Sequence, residues 1–246
     1  MKKLMLLATV MALAVGTAVA GTICTGNSNC LYYGGDANGV NGLFNVYNYA
    51  GVVNAAVFDN AIVGGTGWNV TDVTTNDLLS STTDFSSGVW SINSGVSSGN
   101  VGTVVASGTA SGANFSIVAN GQNYFNYTGA FVTCAFPNVF LAPGTYWFSC
   151  APVSTDGSSY GYLATTSGPT EGTGGGNNIA NDSFFTDSYS GYYFVSACTV
   201  FGTSYCTFSF EVSGTLPAST PEPSSLLLLG SALLGLAGFA RRRLGQ

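Results

Sequence analysis

The chain of 246 residues contains no histidine, and its five basic residues occur only at the two ends, as Lys2, Lys3 and Arg241 to Arg243. Residues 21 to 220 therefore carry ten acidic groups and no cation. Because binding to a nucleic acid depends on cations that neutralise phosphates, this composition excludes nucleic-acid binding by the region. Electrostatic attraction to anionic lipid head groups is excluded for the same reason.

The missing residue types also restrict catalysis. Without histidine or lysine the region cannot form a Ser-His-Asp triad, a Cys-His pair or a Schiff base. Carboxylate chemistry remains, as in glycosidases that use two Asp or Glu side chains. The two glutamates of the region are Glu171, in a glycine-rich loop (Gly168 to Asn178), and Glu211, at the end of a strand-like run. We expect both to be solvated loop or strand-edge acids and the protein not to be an enzyme. A carboxylate-dependent secreted hydrolase is the alternative.

Charge of either sign is missing from Phe85 to Thr155, a run of 71 residues. Native β-sheets usually protect their edge strands with charged side chains, lysine above all. Edges in this run must be covered, closed by disulfides, masked by modification, or adhesive. We therefore predict a monomer at low salt and neutral pH. Self-association should grow as salt screens the acidic net charge of −6, or as the pH falls toward the isoelectric point near 4.1.

The first 20 residues have the pattern of a secretory signal peptide. Lys2 and Lys3 form a basic region, Leu4 to Val15 an apolar region, and Ala18 to Ala20 a small-residue cleavage site. This order predicts export through the Sec machinery and cleavage after Ala20.

Three features follow one another at the C-terminus: Pro221-Glu222-Pro223, an apolar run from Leu226 to Ala240, and Arg241 to Arg243. The run has 15 residues, which is about 22 Å as a helix against about 30 Å for the hydrocarbon core of a bilayer. A short transmembrane helix with snorkelling arginines is predicted, behind a linker at residues 213 to 220. Since basic flanks stay in the cytoplasm, the precursor would be a hairpin across the inner membrane, with everything between exported.

This ordered tail resembles the PEP-CTERM sorting signal, over residues 221–246. The resemblance implies recognition by an exosortase and cleavage near Pro221-Glu222-Pro223, with Arg241, Arg242 and Arg243 and the apolar helix as a retention handle. Thr220 stands where valine is common in the family. Such proteins occur in Gram-negative bacteria that make exopolysaccharide, which implies a mature form at the cell surface or outside the cell, associated with that polysaccharide.

Six cysteines in an exported domain indicate disulfides formed in an oxidising compartment. Six cysteines allow 15 pairings, and the sequence does not choose among them. A cysteine metal site is not indicated, because no C-x-x-C occurs. The simplest arrangement joins nearest neighbours, with the last two pairs as cross-strand bridges of two hairpins: Cys24 with Cys30, Cys134 with Cys150, and Cys198 with Cys206.

Two segments, Asp36 to Gly42 and Asn177 to Asp182, place oxygen ligands at short spacing. Neither follows the D-x-[DN]-x-[DN]-G pattern of calcium loops. Because asparagine, aspartate and glycine also dominate ordinary turns, we expect turns here and no metal or cofactor, with a structural calcium left open.

Turn residues punctuate the chain about every 8 to 12 positions, which is typical of an all-β protein. We predict one antiparallel β-sandwich over residues 21–212, with no sustained helical periodicity. The segment from Trp90 through Leu141 to Phe148 resembles jelly-roll-like domains of other PEP-CTERM proteins. The predicted strands are Asn54–Val63, Gly67–Thr74, Gly88–Ile92, Gly102–Ala106, Asn114–Ala119, Tyr124–Phe136, Gly144–Val153, Ser159–Thr165, Gly191–Phe201 and Ser204–Val212.

Aromatic side chains on strands are mostly core residues, although tyrosine and tryptophan can also stack on sugar rings. Alternation places Tyr146 and Phe148 on one face and Trp147 on the other, so one side would be exposed. The leading hypothesis is an exported, exosortase-sorted, non-enzymatic surface or matrix protein associated with exopolysaccharide. The alternative is a carbohydrate-binding module, with these candidates for sugar stacking: Trp68, Trp90, Trp147, Tyr192 and Tyr193.

Overall fold

The structure, a computed structural model, describes Cys24 and residues 29–166, 182–202 and 206–218. The predicted signal peptide, the C-terminal motif and Glu171 lie outside the described residues. The strands are β1 (Cys30–Tyr33), β2 (Ala37–Phe44), β3 (Val46–Tyr49), β4 (Val53–Val63), β5 (Trp68–Leu79), β6 (Phe85–Ser94), β7 (Thr103–Ser111), β8 (Phe115–Tyr124), β9 (Tyr127–Leu141), β10 (Gly144–Ser154), β11 (Gly161–Thr166), β12 (Phe184–Asp187), β13 (Tyr192–Ser196) and β14 (Phe210–Thr215). A short helix, α1, spans Ala197–Phe201.

The strands form two seven-stranded sheets. In the first sheet, β5 pairs with β9 along one side and with β14 and β11 on the other; β1, β2 and β8 are the outer strands. The second sheet has the order β13-β12-β4-β3-β10-β6-β7, and β4 also pairs with β10. All pairings are antiparallel except one parallel contact between β3 and β10. This architecture confirms the all-β sandwich; the jelly-roll likeness stays a prediction.

The core lies between the two sheets. Residues at alternate positions of facing strands point inward, as the pleat of a strand requires. Trp90 and Ile92 of β6 and Phe148 of β10 are buried in one cluster with Val132 of β9 and Phe210 of β14. Trp90 stacks on Phe136 with ring centroids 4.0 Å apart. Burial of these apolar surfaces is the main favourable contribution to folding.

Several strand boundaries differ from the sequence prediction, and two of the differences lie near the C-terminal end of the domain. The run Gly191–Phe201 was predicted as one strand, but β13 ends at Ser196 and α1 follows. The helix ends at Gly202, whose φ of 64° is the left-handed conformation that glycine adopts readily. At the C-terminal end, β14 extends to Thr215, inside the predicted linker, because Ser213 to Thr215 pair with β5.

Three disulfides join the nearest neighbours: Cys24 with Cys30, Cys134 with Cys150, and Cys198 with Cys206. The predicted hairpins need correction. Cys134 lies on β9 of the first sheet and Cys150 on β10 of the second, so their bridge crosses the core between the sheets. Cys198 lies on α1, not on a strand.

Candidate functional site

Five aromatic side chains meet at one end of the sandwich and form what we call the tyrosine surface: Phe44, Tyr49, Tyr127, Tyr160 and Tyr162. Each is half-buried. Six ring pairs connect them edge to face, with centroid distances from 5.5 to 6.1 Å. Edge-to-face contact is the preferred arrangement of aromatic rings, so the cluster holds itself in place while keeping part of each ring exposed.

The topology brings these residues together from four separate segments. Tyr160 directly precedes β11 and Tyr162 is its second residue, so the two rings, two positions apart in an extended segment, share one face. Phe44, at the end of β2, pairs directly with Tyr162. Tyr127 begins β9 and Tyr49 ends β3 of the second sheet. The tyrosine surface therefore lies where strands of both sheets end.

The first of two hollows at this surface has a volume of about 410 Å³. Tyr189 is 82% exposed in the turn after β12 and forms part of the rim. The buried Asp187 accepts a hydrogen bond from the Tyr189 backbone amide at 2.9 Å, which fixes the turn. The lining residues are mainly apolar or aromatic: Phe44, Tyr49, Ala50, Val52, Val53, Tyr162, Asp187 and Tyr189.

The second hollow, of about 290 Å³, adjoins the first, because Tyr162 lines both. Phe125 stands at its rim with 66% of its surface exposed. The remaining lining residues are Val40, Asn41, Gly42, Leu78 and Tyr127. The two hollows therefore share one aromatic side chain, that of Tyr162.

Phe125 takes a backbone conformation that is rare for a bulky residue. It and Asn126 form the two-residue turn between β8 and β9, with φ values of 53° and 69°. Such turns favour asparagine and glycine, and a left-handed phenylalanine costs on the order of 1–3 kcal/mol. Since its ring is exposed, core packing does not explain its presence. Strained residues of this kind cluster at functional sites.

Two phenol groups of the surface, those of Tyr160 and Tyr162, are neutral donors and acceptors at physiological pH, because the pKa of each is raised. Hydrogen bonding with Tyr127 raises the pKa of Tyr160. Burial raises the pKa of Tyr162. The exported region has no cation to attract an anionic ligand. Aromatic faces with neutral hydroxyls suit an uncharged polyhydroxy ligand, whose C–H faces stack on rings and whose hydroxyls hydrogen-bond at the rim.

Comparison with known proteins adds information about the tail of the chain. The family model of the PEP-CTERM protein-sorting motif matches residues 219–243. The chain carries a PEP-CTERM sorting motif. Such a motif marks a protein for exosortase and for export to the cell surface or the extracellular space. Nothing among the curated proteins matches the chain.

The three tryptophans proposed for sugar stacking lie in the core. Trp68, Trp90 and Trp147 are at most 7% exposed. Trp147 does not lie on an exposed face, because its indole donates a hydrogen bond to the Asp182 carbonyl at 2.7 Å and packs against Phe184. Large aromatic residues contribute most to stability when they are buried, which explains why these tryptophans lie in the core.

The two remaining candidates, Tyr192 and Tyr193, are 39% and 57% exposed on β13. They are consecutive, so they point to opposite faces of the strand, and neither lines a hollow of the tyrosine surface. The sequence analysis did not predict the tyrosine surface. One signal was available, the spacing Tyr160-Gly-Tyr162, which places two rings on one face.

Two further predictions concern polar residues. Glu211 is not a solvated edge acid: it is 1% exposed, because β14 lies between β1 and β5. The segment Asp36 to Gly42 does not form the expected turns, because residues 37–42 belong to β2, which pairs with β11. There the Asn38 amide bonds within the protein, accepting from the Thr165 hydroxyl at 2.9 Å and donating to the Thr166 carbonyl at 2.8 Å. Cys24, Cys30 and Glu211 place potential metal ligands together, but both sulfurs are disulfide-bonded and offer no thiolate.

Among the described residues, no helix is long and apolar enough to span a bilayer.

Proposed function

We propose that this PEP-CTERM protein is a non-enzymatic component of the cell surface or extracellular matrix that binds exopolysaccharide through the tyrosine surface. The observation that carries the proposal is the pair of adjoining hollows that share Tyr162 on the exported domain. Adjoining hollows can take successive units of one polymer chain, whereas a single small ligand would need only one.

The composition defines the class of glycan. The exported region has ten acidic groups and no basic one, so a polymer rich in uronate or phosphate would be repelled. A neutral polysaccharide avoids this repulsion and can stack on the rings of Tyr162, Phe125 and Tyr189. The strain at Phe125 is consistent with a ring held in place for a ligand.

The non-enzymatic part of the proposal rests on chemistry. The region has no histidine or lysine to act as a general base. Of its two glutamates, Glu211 is buried in the sheet, away from any glycan at the surface. A carboxylate hydrolase would need two accessible acids on either side of a scissile bond. Turnover of a bound glycan would contradict this part of the proposal.

Phe125→Gly should weaken binding to the host's neutral exopolysaccharide by about five- to tenfold, the effect of losing one stacked ring. Tyr189→Ala, at the other hollow, should weaken it to a similar degree. Both side chains are exposed, and glycine suits the left-handed backbone at position 125, so the folded state is retained or stabilised. Isothermal titration calorimetry with a defined oligosaccharide of that polymer measures the affinity.

Tyr193→Ala is the matched control, because it removes an exposed tyrosine outside both hollows. Its affinity should equal that of the wild type. If all three variants bind equally well, or if Tyr193→Ala alone loses binding, the tyrosine surface is not the glycan site. Thermal unfolding of each variant shows whether a loss of affinity comes from misfolding.

Sorting is tested separately. Deleting residues 221–246 removes the matched motif, together with the apolar run and the arginines proposed as a retention handle. In an exosortase-bearing host the shortened protein should move from the envelope fraction to the periplasm or the medium. Immunoblots of the fractions measure this change. Identical fractionation of the full-length and shortened proteins would show that the tail does not direct sorting.

A further inference from the structure

Five strands lie at the lateral ends of the two sheets, and they are not protected alike. On one side of the sandwich, β1 has four residues and begins at a disulfide, and β13 has five and leads into the disulfide-bonded α1. β2, the other outer strand on that side of the first sheet, has eight residues. On the other side the outer strands are β7 and β8, with nine and ten residues. A short outer strand is a common protection of a sheet edge, and β7 and β8 lack it.

β7 also lacks the protection that charge provides. Within the described part of the chain it pairs only with β6, so alternate backbone amides and carbonyls face away from the sheet. The nearest acidic residues in sequence are Asp84 and Asp156, outside both strands of this pair. Val104 and Val105 are 49% and 41% exposed. The register shifts once, near Asn93, and the pairing from Ala106 to Ser111 is regular.

Small side chains line this regular part of β7. Gly108 faces the Trp90 indole, where an added Cβ would come within 3.2 Å of the ring. Ser107 and Thr109 point the other way and are exposed. Another strand can therefore approach the backbone of β7 without obstruction from a long or charged side chain.

We propose that β7 is a self-association edge, at which residues 106–111 pair antiparallel with the same strand of a second copy. A two-fold axis normal to the second sheet brings the two β7 strands side by side and continues the sheet across both copies. A second copy is the occupant that the charge distribution favours, because identical uncharged strands meet without like-charge repulsion. The acidic groups elsewhere repel at long range, so association strengthens as salt screens them. This inference does not depend on glycan binding.

Sedimentation velocity on the exported protein, over a range of concentrations and salt, tests the proposal. The wild type should form dimers whose association constant rises with salt. Ser107→Lys and Thr109→Lys, tested singly, each bring a positive charge from both copies close to the two-fold axis of the paired edge, and each should weaken dimerisation by about tenfold. Hydrogen exchange should show new protection of β7 amides at high salt, where dimers predominate.

Two matched controls carry the same Ser→Lys change. Ser86→Lys lies on β6, outside the pairing with β7, and Ser116→Lys lies on β8, the neighbouring outer strand. Both should dimerise as the wild type does. Equal weakening by all four variants would indicate a general charge effect and overturn the proposal, and loss only in Ser116→Lys would assign the contact to β8 instead. A wild type that stays monomeric at high salt would mean that the edge is already covered, which also overturns it.

Discussion

Replacing Cys134 and Cys150 together by alanine should lower the free energy of unfolding by about 3 kcal/mol, the entropic contribution of a disulfide that closes a loop of this length. The sequence separation is 16 residues and both side chains are fully buried. The bridge joins the two sheets through the core, so its loss also leaves space between β9 and β10. Urea unfolding of the exported protein measures the change.

The matched control is Cys24→Ala with Cys30→Ala. This pair closes a loop with a separation of only six residues and is half-buried at an outer strand. Its removal should cost less, about 2 kcal/mol in the same model. If the losses of stability differ by only about 1 kcal/mol, as loop closure alone predicts, the position of the Cys134–Cys150 bridge between the sheets contributes nothing beyond loop closure.

Sequence reasoning predicts the three cysteine pairs but not where the bridges lie. A turn between Cys134 and Cys150 is compatible with a hairpin and equally with a chain that crosses from one sheet to the other. Only the pairing of β9 with β5, and of β10 with β6, distinguishes these cases. Gly88 shows the same limit: an added Cβ there would lie 2.6 Å from the Cys134 sulfur, a constraint that no local pattern reveals.

Local sequence patterns are also insufficient to predict the candidate site. Composition and alternation identify strands, and eight of the ten predicted runs overlap β4 to β11. The rings of the tyrosine surface come from β2, β3, β9 and the start of β11, and two of these strands, β2 and β3, were not predicted. β2 contains glycine and asparagine, which are depleted in strands, and its place in the sheet is set by pairing with β11. A site built from such strands depends on tertiary contacts.

The buried side chain of Asp77 has the second large effect on the stability of the folded protein. Asp77 on β5 is fully buried, and burial raises its pKa to about 7. Its Oδ1 accepts a hydrogen bond from the Asn45 side chain at 2.9 Å, and its Oδ2 contacts the Thr75 hydroxyl. Asn45 also donates to the Cys150 carbonyl at 3.0 Å, so the network connects the two sheets. With no cation in the exported region, only these neutral groups can compensate the charge.

The raised pKa predicts an unusual dependence of stability on pH. Between the ordinary aspartate pKa of 3.8 and about 7, the folded protein keeps a proton on Asp77 that the unfolded chain has lost. The proton favours the folded state, so the contribution of Asp77 to stability is greatest below pH 4, falls as the pH rises to about 7, and then levels off. A shift of about three units corresponds to about 4 kcal/mol. Burial raises the pKa of Asp72 and Asp182 as well, which adds to the same trend.

Asp77→Asn should remove most of the decrease in stability between pH 4 and pH 7, because the amide stays neutral at every pH. Its oxygen can still accept from Asn45, and its NH₂ can donate to the Thr75 hydroxyl, which in turn lies 3.4 Å from the Val132 carbonyl. At pH 8 the variant should therefore be more stable than the wild type by up to about 4 kcal/mol, while at pH 4 the two should be similar. Urea unfolding between pH 4 and pH 8 measures both.

Asp156→Asn is the control for the change in charge. Hydrogen bonds from Ser158 and Ser159 hold the pKa of the exposed Asp156 below its usual range, which is the opposite direction to Asp77. This variant should keep the fall in stability between pH 4 and pH 7, since Asp77 still titrates there. A wild type whose stability rises over that range, or an Asp77→Asn variant that retains the full slope, would show that Asp77 is ionised in the folded core. The Asn45 and Thr75 hydrogen bonds would then suffice to hold a buried charge without any cation.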